Sequence, residues 1–242
     1  NYALSKKLKI FEHSLVNKIH KNNGSYILRT KEGTVNTKKI VVATNGFYQE
    51  GLVPQINSRI LPVISNIIVT RKLTKNEIDL HNFKTFSPIA NTKNLLYYYR
   101  KLPDNRILFG TRGDFIGSDQ SNLNRAKIME KFLKNIFPAW SNVSIDYNWR
   151  GLIAMSQKLT PSIGKIENEE IYYGFGYHGV GVSSAPWTGK QLSKLVVSSN
   201  SKDLNISKIY KGLPKKFIFP KLRIFYFRLA VLFYNIKDKL NI

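Results

Sequence analysis

The 242-residue sequence contains no cysteine. Disulfides, thiolate nucleophiles, cysteine-ligated zinc and a cysteine-linked cofactor are thereby excluded. The absence fits a reducing compartment, and a cytoplasmic location is expected. Acidic residues are scarce as well: 15 Asp+Glu face 38 Lys+Arg, for a net charge of +23. Such an excess points to an anionic partner, whether nucleic acid, membrane surface or acidic ligand. The lysines are scattered, however, and are abundant together with Asn and Ile, as an AT-rich coding bias would produce. The charge is therefore read first as composition, and no specific nucleic-acid partner is expected. No apolar run is long enough to span a bilayer. The nearest, Ile224 to Ile236, is interrupted by Arg228. His13, His20 and His81 have no Asp or Glu at ligand spacing, so no metal is expected. The chain opens at Asn1 without an initiating Met, signal core or transit pattern. It is expected to begin inside a longer fold.

What is present reads as a packed protein of one large domain or two small ones, with 43% hydrophobic residues. Leu8 to Phe11 is a short apolar segment in a strand-rich stretch. Ser14 to His20 and Ser25 to Thr30 flank Asn22-Asn23-Gly24, a hairpin signal. Lys31-Glu32-Gly33 marks a second turn. Ile40 to Ala43 is continuously apolar, which predicts a strand buried on both faces, as in a parallel sheet. Residues 59 to 73 are β-rich. Asn94 to Thr111 reads as a hairpin turning at Pro103-Asp104-Asn105. Asn122 to Phe137 carries an apolar stripe at helical spacing. In Val143 to Trp149 strict alternation places Val143, Ile145, Tyr147 and Trp149 on one face. Pro220 to Leu240 is a basic-aromatic helix. It is expected to pack its Phe, Leu and Tyr face on the domain, the less favoured alternative being peripheral contact with a membrane surface.

The most informative segment runs from Tyr172 to Lys190. Gly174, Gly176, Gly179 and Gly181 fall within eight residues, between the strand Ile171 to Tyr173 and a helix expected from about Pro186 to Val197. Glycine permits positive φ and close approach of backbone to a flat ligand. Pro186 suits a first helical turn, whose free amides would face whatever the loop cradles. That arrangement suits a phosphate, or the pyrimidine edge of a reduced flavin, where negative charge develops. Gly189-Lys190 lacks the upstream glycine of a phosphate-binding P-loop, because Ser184 stands there. The alternative is a tight strand-to-helix turn whose glycines serve packing alone.

Several motifs then occur in a telling order: Val41-Val42-Ala43-Thr44-Asn45-Gly46, Tyr98-Tyr99-Arg100, Asn105-Arg106-Ile107-Leu108-Phe109-Gly110, Trp149-Arg150-Gly151-Leu152, Pro161-Ser162-Ile163-Gly164 and Gly174-Phe175-Gly176-Tyr177-His178-Gly179. Together they resemble the FAD-dependent oxidoreductases related to D-amino-acid oxidase, glycine oxidase and sarcosine oxidase. Arg59 to Val63 and the tail residues Pro220, Arg223, Tyr234 and Asp238 are most similar to the gamma-glutamylputrescine oxidoreductase type. The resemblance covers Leu8 to Leu240. Such proteins normally begin with a strand, a G-x-G-x-x-G turn and a helix. That segment has no counterpart here, so the chain is expected to bind FAD weakly or not at all by itself and to be inactive alone.

The resemblance implies an α/β (α+β) fold: a partial FAD-binding Rossmann-like domain with an inserted, mostly antiparallel substrate-binding sheet. The implied division is 1–57 with 151–200 for FAD, 58–150 for substrate, and a 201–242 helical tail. It implies non-covalent FAD held by Val16 on the adenine side, by Ala43, Thr44, Asn45 and Gly46 near the adenosine, and by Gly174, Phe175, Gly176, Tyr177, His178, Gly179, Val180 and Gly181 along the ring. The implied reaction is hydride transfer from an amine or amino-acid derivative, with molecular oxygen or another acceptor. Tyr98 and Arg150 are substrate candidates, and His178 and Arg150 are candidates for catalysis. Each has a plainer reading: His178 bonding backbone in a tight loop, Arg150 paired with a surface carboxylate, and some of Tyr97, Tyr98 and Tyr99 packing the core. Gly151-Leu152 is followed by Ile153-Ala154, where the glycine-oxidase pattern has an Arg that grips the carboxylate. A simple α-amino acid is therefore the less expected substrate. The competing reading is a non-catalytic remnant or a basic surface-binding module without functional FAD binding.

Overall fold

The computed structural model describes residues 2–198 and 205–240. Its elements are α1 (Tyr2–Ser5), β1 (Lys18–Asn22), β2 (Ser25–Arg29), β3 (Thr34–Thr37), β4 (Ile40–Val42), β5 (Leu61–Thr70), α2 (Lys75–Leu80), β6 (Ile89–Ala90), β7 (Tyr97–Lys101), β8 (Ile107–Arg112), α3 (Asp119–Ile136), β9 (Ile145–Met155), β10 (Ser162–Lys165), β11 (Ile171–Phe175), α4 (Gly181–Ser198) and α5 (Arg223–Leu240). They form two compact units, Asn1–Ile60 with Ser156–Phe217, and Leu61–Met155 with Ile218–Ile242. The expected mixture of helix and antiparallel sheet is what the structure shows.

In the first unit β1, β2 and β3 form an antiparallel meander. Asn23 and Gly24 both take positive φ, 39° and 78°, as a two-residue hairpin with right-twisted strands demands. The second sheet has the order β10-β11-β4, with β11 antiparallel to β10 and parallel to β4. Tyr26 joins the two sheets. Its hydroxyl donates to Glu169 at 2.6 Å and accepts the Glu170 amide at 2.9 Å. α4 lies over β10 and β11, burying Leu192 and Leu195 against Ile163 and Tyr172.

Two expectations change here. Ile40 and Val42 are buried, but Val41 is 46% exposed. β4 is the edge of its sheet, and α4 covers the other two strands. Leu8, Ile10 and Phe11 form no strand and are exposed.

The second unit is a five-stranded antiparallel sheet of order β6-β7-β8-β5-β9. One face packs on α3. The core there is aromatic: Phe109, Phe137 and Trp140 surround Met129 and Leu133, with Tyr97 and Tyr99 stacked on Phe109. α3 starts at Asp119, earlier than its apolar stripe, because Ser118 caps it by accepting the Ser121 amide. Of that stripe, Met129 and Leu133 are buried, while Leu123 and Phe132 stay exposed.

The alternation of β9 also differs from expectation. The register against β5 shifts between Val69 and Thr70, which pair with Tyr147 and Ile145. Asp146 is the extra residue of a bulge, and a bulge of this kind reverses side-chain facing. Val143 and Ile145 therefore join the α3-side core. Tyr147 and Trp149 point to the other face, 55% and 43% exposed.

α2 begins with a capping box. Thr74 Oγ1 accepts the Glu77 amide at 3.2 Å, and Glu77 Oε2 accepts the Thr74 amide at 2.8 Å. Glu77 also receives Arg71 through both oxygens, at 2.9 and 2.7 Å. The Arg71 guanidinium and then the Thr74 amide hold its carboxyl down from 4.5 to about 2. A depressed carboxyl pKa stabilises the fold above the ordinary value and loses that contribution as pH falls through the depressed one. Glu77→Gln is expected to cost about 1–3 kcal/mol at neutral pH and to flatten the loss of stability between pH 4.5 and about 2. Hydrogen exchange of the β7 and β8 amides against urea, followed for both proteins across that pH range, checks it, and parallel pH dependence would contradict the assignment.

Candidate functional site

In a parallel sheet, ligands collect outside the carboxyl ends of the strands. β4 and β11 end side by side, with Ile40, Val41 and Val42 paired to Ile171, Tyr172 and Tyr173. Beyond β4 the chain turns through a short 3-10 segment, Asn45–Phe47, with Asn45 in the left-handed region at φ 48°. Asn45 tolerates this conformation better than most residues. There its side-chain Oδ1 accepts the Gly176 amide at 3.0 Å. One hydrogen bond thus ties the end of β4 to the glycine-rich turn after β11.

That turn needs its glycines unequally. Gly176 and Gly179 sit at φ 80° and 94°, and His178 between them at 50°. Gly174 is needed for space: a Cβ there would lie 2.6 Å from Thr188 Cγ2 and 2.8 Å from Leu192 Cδ1. Phe175 is buried beside Tyr173, so only its backbone faces the turn. Tyr177 is half-buried, and burial raises its hydroxyl pKa above 10.0. His178 Nε2 lies 3.3 Å from Ser156 Oγ, and its Nδ1 is buried without a partner. Burial lowers its pKa from 6.5, so the ring is neutral at pH 7.

The helix after the turn begins at Gly181, not near Pro186. The Ser184 amide makes the first helical bond, to Val180 O at 3.1 Å. The amides of Gly181, Val182 and Ser183 lie in the first turn and have no intrahelical acceptor. Pro186 falls one turn inside, where it removes the bond to the Val182 carbonyl. Val182 is 96% exposed, which leaves that carbonyl to water. The Ser183 and Ser184 hydroxyls both donate back to Val180 O, so they leave the first-turn amides free.

The remaining candidates are placed as follows. Ala43 and Thr44 are exposed beyond β4, and Gly46 is buried. Val16 is half-buried in the segment entering β1. Phe47, 69% exposed beside Gly46, was not singled out from the sequence; an aromatic directly after Asn45-Gly46 was its only sign.

In the second unit Tyr98 and Arg150 are on opposite faces. Tyr98 pairs with Gly110, Gly110 with Ile67, and Ile67 with Trp149, so these four form one row on the face away from α3. Any Cβ at position 110 would collide with the Tyr98 ring; the glycine lets the ring lie across the sheet. Arg150 is on the α3 face, donating to Asp119 at 3.0 Å and to Ser118 O at 3.1 Å. Ile153, paired with Val63, shares the Tyr98 face. A cavity of about 260 Å³ lies on the α3 side, lined by Lys93, Tyr97, Arg112, Arg125 and Asp238 among others. Burial and the neighbouring Arg112 lower Arg125 to about 10.

A parallel strand pair ending at a glycine turn and an open helix start, joined in one chain to an antiparallel sheet, defines the class of α/β (α+β) proteins with an added antiparallel sheet. The model of the FAD dependent oxidoreductase family, DAO, matches residues 1–195. The chain belongs to this family, whose cofactor is FAD, and without cysteine it offers no thiol to tether a flavin. It is 30% identical over 229 residues to a probable oxidoreductase, OrdL, of Haemophilus influenzae, covering 91% of this chain and 51% of that protein. It is 27% identical to the gamma-glutamylputrescine oxidoreductase of Escherichia coli, covering 97% and 53%. Among solved structures, glycine oxidase from Geobacillus kaustophilus matches with a TM-score of 0.65 at 16% identity, over 86% of this chain and 53% of that one. The chain spans about half the length of the curated relatives it matches.

Proposed function

We propose that this chain supplies the ring-side wall and the substrate sheet of an FAD-dependent enzyme that oxidises the C–N bond of an amine or amino-acid derivative. The observation that carries the reading is the Asn45–Gly176 hydrogen bond, which fixes the glycine turn and the first-turn amides of α4 at the ends of two parallel strands. Bound FAD would accept a hydride from the carbon next to the amine nitrogen, and the resulting imine hydrolyses in water. A flat cofactor suits these residues. Positive φ at Gly176 and Gly179 exposes main chain rather than side chain, and the Gly181, Val182 and Ser183 amides offer partial positive charge to a reduced ring. His178, held against Ser156, adds no charge to the turn.

Residues 1–57 and 151–200 are proposed to serve FAD, with Ala43, Thr44, Asn45 and Gly46 near the adenosine and Val16 near the adenine. The 58–150 sheet is proposed to serve substrate through Tyr98, whose ring can hold a cationic amine. Arg150 is given a positioning role at the start of α3, because its guanidinium is already engaged by Asp119. Ile153 offers no charge to a carboxylate, which favours an amine or a γ-glutamyl amine over glycine. Molecular oxygen or another acceptor would reoxidise the flavin, in a cytoplasmic setting.

The test joins this chain to the amino-terminal half of the Haemophilus influenzae relative, loads FAD, and follows anaerobic bleaching of the flavin. A γ-glutamyl amine is expected to reduce the flavin faster than glycine by roughly tenfold or more, the worth of one charged hydrogen bond at about 1.5–3 kcal/mol. Faster reduction by glycine, or bound flavin that no amine reduces, would sink the proposal.

A further inference from the structure

α5 is packed on one side only. Val231 is buried, and Asp238 is turned toward the protein, where it accepts the Asn94 and Leu95 amides at 2.9 Å each. On the other side Phe225, Tyr226, Leu229, Leu232, Phe233 and Ile236 are between 38% and 58% exposed. At 3.6 residues per turn they fall within an arc of about 120°. The expectation that this helix packs its Phe, Leu and Tyr face inward is therefore met only in part; most of that face is uncovered. The approach to α5 adds to it. Phe219 is held in the left-handed region at φ 48°, a conformation rare for a bulky side chain, and Ile218 and Phe219 are about as exposed as the stripe itself or more so.

A continuous apolar surface of this extent marks an interaction site, and its charge selects the partner. Helical position puts Arg228 and Lys239 along one border of the stripe and Lys237 along the other. The helix holds four basic residues and one acid, Asp238, whose charge is spent on amides inside the unit. We infer that α5 docks flat on an anionic lipid surface, its apolar arc in the acyl boundary and its basic borders among the headgroups. A second copy fits poorly, because apposed stripes would bring like-charged borders together with no exposed acid between them. No helix among the described residues is long and apolar enough to cross a membrane, so the mode is interfacial. The +23 net charge adds long-range attraction to the same surface. α5 and α3 line one cavity on the α3 side of the sheet, so docking through α5 leaves the Tyr98 face uncovered by lipid.

The test is co-sedimentation of the whole chain with phosphatidylcholine–phosphatidylglycerol vesicles and with phosphatidylcholine alone. Binding is expected on the anionic vesicles, at least about tenfold stronger than on neutral ones and weakened by high salt. Leu229→Ser with Leu232→Ser is expected to abolish it while leaving hydrogen exchange of the β7 and β8 amides unchanged, since neither side chain is buried. Arg228→Gln with Lys237→Gln, which leaves the apolar arc whole, should weaken anionic binding severalfold. Absence of binding, equal binding to both vesicles, or binding indifferent to these substitutions overturns the inference. So does a concentration-dependent dimer that the serine pair dissolves without any vesicle binding.

Discussion

Trp140→Ala is expected to destabilise the sheet unit by about 4 kcal/mol, in the middle of the range for aromatic truncation in a packed core. Trp140 is fully buried and lies where three contacts converge. Its ring stacks on Phe137 at 4.2 Å and meets His81 edge-on at 5.0 Å. Its Nε1 donates to the Glu77 carbonyl at 2.8 Å, joining the end of α3 to α2. Removing the ring opens a cavity and leaves that carbonyl without its donor. Trp140→Phe keeps most of the packing and is expected to lose only the hydrogen bond and some volume, about 1–2 kcal/mol. Because the chain has two units, one global melt is a poor readout. Hydrogen exchange of the β7 and β8 amides against denaturant reports this unit alone. A cost for the alanine variant under about 1 kcal/mol would show that the core is not centred there.

Gly174→Val should have the second-largest effect, and it reaches the proposed site. Gly174 lies in β11 directly under α4, so a branched side chain must displace Thr188 and Leu192. Overpacking of this kind costs about 1–3 kcal/mol. The displaced helix would carry the Gly181–Ser183 amides away from the Asn45 end of β4. Flavin affinity is expected to fall by tenfold or more for roughly 1.4 kcal/mol of lost contact. Gly189→Ala is the matched control. Nothing lies within 4 Å of a Cβ there, and an exposed helical glycine replaced by alanine should stabilise by about 0.5–1 kcal/mol. Equal flavin affinity in the valine variant and the wild type would separate α4 from the cofactor.

Much of this architecture was legible because its signals are local. Asn23-Gly24 fixes a hairpin through its own φ preferences, and Pro103-Asp104-Asn105 does the same between β7 and β8. That Ile40 to Val42 forms a strand with a parallel neighbour followed from an apolar run, but its partner β11 and the exposure of Val41 did not, since they depend on strand order and on which strand forms the edge. What failed required a distant partner. The bulge at Asp146 exists only against β5, and it reverses the facing that the alternation of Val143 to Trp149 predicts. Arg150 is held by Asp119, 31 residues away, and no spacing rule links them. Pro186 misled because proline favours a helix start, whereas here the helix begins a turn earlier, at Gly181. The apolar stripe of α5 was visible at helical period; that it faces outward was not, because period gives a face and not its direction.

The central proposal is that main-chain amides around Gly176 to Ser183, pinned by Asn45, lie against the flavin ring. Amide hydrogen exchange of this chain joined to the amino-terminal half of the Haemophilus influenzae relative, with and without FAD, tests it most directly. Slowed exchange confined, within this chain, to Thr44–Gly46 and Gly176–Ser184, with the Asn23-Gly24 turn unaffected, is the predicted result. Unchanged exchange across Gly176–Ser184, or protection only elsewhere, would contradict it.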